Sequence, residues 1–392
     1  MVLTREDNEL LTQVGPGTPG GELLRRYWMP VAIAAELTRE QPTKLVRLLG
    51  ETLVLFRDSS GRLGLLADRC AHRSASLFYG RVEERGISCA YHGWLYDTSG
   101  KILETPPERN EAIMNSVRQP SYPVRKFVGM YWAYLGPLPA PELPPYDTLV
   151  RQDGNRRIVI HPVLDCNWFQ AMENSVDPAH LQILHQEYIG RGRTPVNTTR
   201  GFTDDVKDTD FYLTPYGIMK KRTYMTGEVD EHPLVFPNIL RQGYSTQIRV
   251  PMDDTHTAHI HVMFEPGTNG AVTDGAADPP VEYLAPYKDP PDALHPFTRY
   301  NQRSVLAQDH MAWETQGPIA DRTVEHLSYS DRGIHLLRNV MREQIERVQR
   351  GLDPMGVIRD PNHPMIDTNI DESTKVEGNG QPVAVAAQAS TG

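Results

Sequence analysis

Runs of β-branched and aromatic residues alternate along this chain with stretches of helical spacing, and proline-rich breaks separate them. Residues 43–67 predict a hairpin: Glu51–Phe56 is β-prone, Asp58-Ser59-Ser60-Gly61 supplies turn chemistry, and Arg62–Ala67 returns. From 70 to 100, Gly, Tyr, His and Arg crowd together without a helical period, which reads as loops on short strands. Pro137–Pro145 carries five prolines. With φ fixed and backbone donors missing, neither helix nor central strand survives there, so a linker is expected. Trp168, Met172, Val176 and Ala179, ahead of Leu181 and Leu184, keep the spacing of a helix over Trp168–Gln186. Residues 211–265 hold several β-rich runs, and Asp292–Trp313 and Gly333–Gly351 read as helices. The end, 373–392, is Gly, Ala, Gln and Ser without periodicity and is expected to be disordered. No internal repeat is visible.

A length of 392 residues leaves room for two or three domains, at about 100–200 residues each. With 39% hydrophobic and 23% charged residues, the composition is that of a soluble globular protein. The N-terminus lacks the basic-then-apolar pattern of a signal peptide, and no apolar run approaches the roughly 20 residues of a membrane span. A cytoplasmic protein is expected. The net charge of −10 argues against nucleic acid as a partner, because phosphate binding needs a concentrated basic surface. An anionic substrate needs only local arginines and stays open. Cys70, Cys89 and Cys166 are the only cysteines, which is no disulfide framework and fits a reducing compartment.

Two of those cysteines sit in matched loops. Cys70-Ala71-His72 is followed, after sixteen residues, by Cys89-Ala90-Tyr91-His92. Each loop offers one thiolate and one imidazole, the donor set of a Rieske two-iron, two-sulfur cluster, with Cys on one iron and His on the other. A Cys2His2 zinc site is the alternative, although zinc sites usually open with two cysteines rather than a mixed pair. The loops, with the following Gly93-Trp94-Leu95-Tyr96, resemble those of Rieske ring-hydroxylating oxygenases. The resemblance implies that Cys70 and Cys89 bind one iron and His72 and His92 the other. Tyr91 and Trp94 would shield the cluster, or be core aromatics.

A second constellation follows. Non-haem Fe(II) oxygenases hold iron with two His and one carboxylate and leave positions open for oxygen. His180 and His185 are five residues apart, about 140° around a straight helix, so they can share a metal only if the helix bends or ends between them. Pro178 is a ready cause of such a break. Asp177-Pro178-Ala179-His180 through His185 resembles the mononuclear iron motif of the same family. That resemblance implies His180 and His185 as ligands. It also implies Asp177 as a bridge, hydrogen-bonded to an iron-bound His and to a cluster His of the neighbouring subunit. Asp309 and Glu314 are the contenders for the carboxylate, and the similarity of this segment to the phthalate dioxygenase subgroup points to Asp309.

An α+β protein is therefore expected: a small all-β Rieske domain over 1–145, then a helix-grip catalytic domain over 146–372. Membership implies an oxygenase component, fed by a separate NAD(P)H reductase (with or without a ferredoxin), that hydroxylates or O-demethylates an aromatic acid. A homotrimer or dimer of trimers is implied. A Rieske electron carrier without oxygenase activity is the rival, and the His-His-Asp set argues against it. Arg241 first, then Arg249, are candidates for clamping a substrate carboxylate in a bidentate fork. Gly15–Gly20 fits the dinucleotide pattern G-x-G-x-x-G but lacks a preceding strand and contains two prolines, so it reads as a turn. His256, His259 and His261 read as structural strand histidines, one of which could line a pocket, and Cys166 as a small buried hydrophobe.

Overall fold

The computed structural model describes residues 2–108, 112–185, 206–267 and 277–368. The expected disorder of 373–392 and the end of the Trp168–Gln186 helix fall outside them. The chain forms two compact units, with a boundary inside the proline-rich stretch: Gln13–Pro141 with Val250–Asp254, and Met1–Thr12 with Glu142–Arg249 and the residues from Thr255 onward.

The first unit is built of three small antiparallel sheets. One joins Met29–Ile33, Met130–Ala133 and Val124–Phe127; a second joins Thr43–Leu48, Glu51–Arg57 and Leu63–Ala67. The third runs Arg81–Glu83, Gly86–Ser88, Leu95–Tyr96, Ile102–Glu104. The hairpin expected over 43–67 is thus a three-stranded meander. Its extra turn is Leu49-Gly50, both at positive φ (50° and 77°), a two-residue connection whose twist suits adjacent strands. Val54, Phe56, Leu66, Leu77, Ile87, Trp94, Tyr96 and Ile102 bury one core, and Cys70 and Cys89 lie inside it.

The second unit is an eight-stranded sheet. From Val206 to Pro266 six strands follow one another as neighbours, ending in Ser245–Pro251 and Thr257–Pro266. Gly154–Ile160 pairs antiparallel with Thr257–Pro266 and parallel with Val281–Tyr283. Helices Trp168–Ser175, Ala179–Ile183, Val305–Glu314 and Arg332–Gln349 belong to this unit. The helix expected from Trp168 breaks at Val176–Pro178, where Asn167 caps its start and proline opens the next turn. The helix expected over Asp292–Trp313 is shorter than predicted. Pro296 ends any helix there, Arg299–Tyr300 pairs as a strand with Lys288–Asp289, and the helix begins only at Val305, capped by Ser304.

The N-terminal helix Arg5–Thr12 also packs in this unit. Buried Arg322 donates to Asn8 Oδ1 (3.0 Å) and, with Arg338, to Glu173. The Glu173 carboxyl would be pushed up by burial, but the two guanidiniums hold it below the usual range. Among the described residues no helix is long and apolar enough to cross a membrane.

Candidate metal centres

In the first unit, the two cysteine–histidine loops are built alike. Cys70 N donates to Ala75 O and Ser74 N returns to Cys70 O; Cys89 N donates to Trp94 O and Gly93 N returns to Cys89 O. Each loop turns through one residue at positive φ, Ser74 (59°) and Gly93 (73°). Gln119 ties the first loop from below. Its Nε2 donates to Ala67 O and Arg69 O and its Oε1 accepts from Ala71 N, all within 2.8 Å. The cysteines are buried and the histidines half-buried, their rings 4.5 Å apart. Tyr96 OH lies 3.0 Å from Cys70 Sγ. Trp94 is buried and stacks on His72 at 4.5 Å, while Tyr91 is exposed and covers the His92 ring at 3.8 Å.

This arrangement favours two ions over one. Around a single tetrahedral zinc, with bonds of about 2.0–2.3 Å, all four donor atoms would fall within roughly 4 Å of one another. Among the described residues, the donor triads within 4.8 Å are His180–His185–Asp309 and His161–His259–His310, and no three of the four loop residues form one. Buried thiols and outer imidazoles that do not converge fit a two-iron cluster.

In the second unit, the broken helix brings His180 and His185 to Asp309. His185 Nε2 lies 3.2 Å and His180 Nε2 3.7 Å from Asp309 Oδ1. Asp309 Oδ1 is buried without a hydrogen bond of proper geometry among the described residues, and a metal between it and the two imidazoles would satisfy it. Gln308 Oε1, 2.8 Å from His185 Nδ1, accepts its proton and leaves Nε2 as the donor atom. Burial would lower the His185 pKa, but Asp309 and Gln308 together raise it. Asp177 Oδ1 accepts from Ala179 N (2.8 Å), and its Oδ2 lies 3.4 Å from His180 Nδ1. Burial pushes the Asp177 carboxyl up; His180, Ala179 N–H and the buried Lys220 ammonium outweigh it and hold the carboxyl low.

Glu314, the other contender, is occupied elsewhere. Its Oε1 accepts from Asp165 N, and its Oε2 from Lys288 Nζ (2.6 Å) and Tyr300 OH (2.8 Å). Gln119 escapes a reading of the sequence, because a lone Gln carries no motif, and the adjacency of Gln308 to Asp309 does not disclose its hydrogen bond to His185.

Residues 27–125 match the model of the Rieske [2Fe-2S] domain, and residues 298–369 that of the LigXa C-terminal domain like family. Over 92% of its length the chain is 38% identical to the 5,5'-dehydrodivanillate O-demethylase oxygenase subunit of Sphingobium sp., covering 84% of that protein. The chain belongs to the Rieske non-haem iron oxygenases. The oxygenase is also 36% identical to phenoxybenzoate dioxygenase subunit alpha of Ectopseudomonas oleovorans, over 88% of this chain and 87% of that one. Its fold matches NdmA of Pseudomonas putida CBB5 with a TM-score of 0.61 at 22% identity, covering 88% of this chain and 100% of that one. Likeness to oxygenase subunits over so much of its length sets the pure electron carrier aside. An oxygenase subunit works with a separate electron-transfer partner.

The remaining candidates of the oxygenase sort by what they touch. Arg241, first choice as a substrate clamp, is buried, and its guanidinium donates to Asp147 Oδ2 (2.8 Å) and Thr368 Oγ1 (3.1 Å). Its charge is already neutralised, so that preference is reversed in favour of Arg249. Arg249 donates to Ser175 Oγ and Gln247 Oε1, both at 2.9 Å, and lies over the Trp313 ring. Burial pulls its pKa down to about 10, against the pull of Asp309. Gly15–Gly20 precedes a helix of six residues capped by Thr18 and follows the helix Arg5–Thr12, so no strand leads into it. His256 is partly exposed, 4.0 Å from Asp165. Cys166 packs on Leu164, Ala171 and Trp313, and burial pushes its thiol up to about 12.

Proposed function

We propose that this oxygenase hydroxylates or O-demethylates an aromatic acid at a mononuclear Fe(II) held by His180, His185 and Asp309. Electrons come from a separate cytoplasmic NAD(P)H reductase, directly or through a ferredoxin, and pass by way of a cluster on Cys70, His72, Cys89 and His92. The working form is a homotrimer or a dimer of trimers. The reading rests on the convergence of His180, His185 and Asp309, whose ligand atoms lie within 4.8 Å of one another although Asp309 comes from a helix far along the chain from the two histidines. Bound iron would supply an electron-rich centre with open positions for oxygen, since two neutral imidazoles and one carboxylate keep its charge low.

The chain's own residues do the rest. Gln308 fixes the tautomer of His185, and Asp177 faces the outer nitrogen of His180. Arg249 offers a buried cation to the acid's carboxylate, a charge-assisted contact that strengthens where water is excluded. Arg249→Met is expected to raise KM roughly tenfold or more for an acid and to leave its methyl ester little changed. An equal change for acid and ester removes Arg249 from carboxylate recognition. The whole reading is tested on the purified, red-brown protein by metal analysis, expected to give about three irons per chain. Turnover of a panel of phthalates and methoxybenzoates with a surrogate reductase, followed by mass spectrometry, identifies the reaction. Stoichiometric zinc without visible absorbance would end it.

A further inference from the structure

Two buried cations meet at the end of the helix Trp168–Ser175, two residues before Asp177. Arg249 Nη1 donates to Ser175 Oγ at 2.9 Å, and Lys220 Nζ donates to Ser175 O at 3.2 Å. The Ser175 carbonyl is free for this contact because the helix stops there. Its next helical donor would be Ala179 N, which Asp177 Oδ1 takes instead (2.8 Å), and Pro178 has no N–H to offer. Carbonyls in a last helical turn lack helical partners and carry partial negative charge, which favours a cation. Asp177 and Lys220 thus divide the broken helix between them, one holding its donor and the other its acceptor.

A single hydrogen bond to a carbonyl does not neutralise an ammonium. Lys220 stands within the strand Gly217–Tyr224 and is 5% exposed, and a charge so buried needs a counter-charge. Among the described residues Lys220 makes no ion pair, and the carboxylates whose charge reaches it are Asp177 and Asp230. Asp230 is already engaged, by both arms of Arg222 (2.8 and 2.6 Å) and by Tyr224 OH (2.8 Å). Asp177 is left, and the Lys220 charge acts on it in return.

We infer that Lys220 is a positioning residue of the electron route: held on Ser175 O, its ammonium supplies the counter-charge of Asp177 and fixes the turn that aims this carboxylate at His180. The inference rests on the reading of Asp177 as the link from the cluster to the mononuclear iron. A carboxylate that accepts an imidazole proton has to keep both its charge and its place, and Lys220 serves both. Arg249, on the hydroxyl of the same serine, remains the cation for the substrate.

The test sets Lys220→Gln, which keeps a donor for Ser175 O without the charge, beside Lys220→Met, which keeps neither. Both are made in the wild-type oxygenase and in Asp177→Asn, with metal analysis throughout. Burial pulls the Lys220 ammonium down to about 7, so measurement at pH 6 keeps it charged. In the wild type, either substitution should slow loss of the reduced-cluster spectrum about tenfold on mixing with oxygen and substrate. Lys220→Gln should also lower the thermal midpoint by about 2 °C or more, with iron content and KM unchanged. In Asp177→Asn the same change should slow the spectrum no further and should raise the midpoint, because the ammonium it removes there has lost its counter-charge. Equal effects in both backgrounds overturn the inference and leave Lys220 a clamp on the helix end. So does a wild-type rate in Lys220→Gln where Lys220→Met is slow, since the hydrogen bond alone would then matter. Loss of iron in Lys220→Gln overturns it as a structural defect, and a raised KM at an unchanged rate overturns it in favour of a substrate cation. If Asp177→Asn itself loses the reduced spectrum at the wild-type rate, the reading of Asp177 falls and Lys220 with it. If Asp177→Asn is slow and Lys220→Gln is not, only Lys220 falls.

Discussion

Alanine at His180, His185 or Asp309 is expected to lower the iron content from about three per chain to about two, with the visible spectrum of the cluster unchanged. Turnover should fall at least roughly a thousandfold, since an unheld metal can neither orient nor activate anything. The geometry makes the prediction specific. Asp309 Oδ1 is buried without a hydrogen bond among the described residues and faces both imidazoles, so its removal leaves a hole in a donor set rather than a broken hydrogen bond. Gln308→Ala should be milder, weakening iron binding about 10- to 100-fold, as losses of groups behind a metal ligand do. Glu314→Gln is the control. Its carboxylate is engaged by Asp165 N, Lys288 and Tyr300, so iron and spectrum should persist even if local stability drops. If Glu314→Gln loses the iron while Asp309→Ala keeps it, the carboxylate has been misassigned.

Much of this site is legible in the amino-acid sequence, and the reasons differ from residue to residue. Both cysteine–histidine loops are contiguous along the chain, so spacing and residue type carry the chemistry; Pro178 signals a break before His180, but His180 and His185 converge because the helix Ala179–Ile183 ends between them, which no residue type announces. The choice between Asp309 and Glu314 rests on resemblance alone at that level. Five residues apart on one helix, they point about 140° apart, and only the packing of that helix says which faces the histidines. His259 and His261 are legible as neighbours on one strand face, whereas the buried His161 and His310 join them only through the sheet and the helix beside it. Arg241 ranks above Arg249 in sequence for a related reason: its partner Asp147 lies 94 residues away along the chain. The strand Thr43–Leu48 hides behind the Leu49-Gly50 turn, since leucine is no turn residue. The helix expected from Asp292 is overlong because apolar spacing there masks the stop at Pro296.

Asp177→Asn is expected to keep the cluster, the mononuclear iron and the oligomer, yet to cut turnover about a hundredfold or more, as expected of a group that acts behind a metal ligand. Asparagine keeps an oxygen for Ala179 N, which Asp177 Oδ1 now accepts at 2.8 Å, so the turn into Ala179–Ile183 should survive. What changes is the second oxygen, 3.4 Å from His180 Nδ1. An amide NH2 there cannot accept the imidazole proton and carries no charge to stabilise it. In the proposed assembly the same carboxylate also receives a cluster histidine from the neighbouring subunit, so one substitution weakens both ends of the electron route. Rapid mixing of the reduced protein with oxygen and substrate should show slowed loss of the reduced-cluster spectrum. A merely structural aspartate would instead lose iron or change the oligomer. The route between subunits has its own check, in trimers that close head to tail on a heterologous interface. A chain carrying His72→Ala, without a working cluster, mixed with a chain carrying His180→Ala, without mononuclear iron, should regain activity that neither has alone. Confirmed mixed trimers with no activity would mean that electrons stay within one chain, and Asp177 would then serve only its own His180.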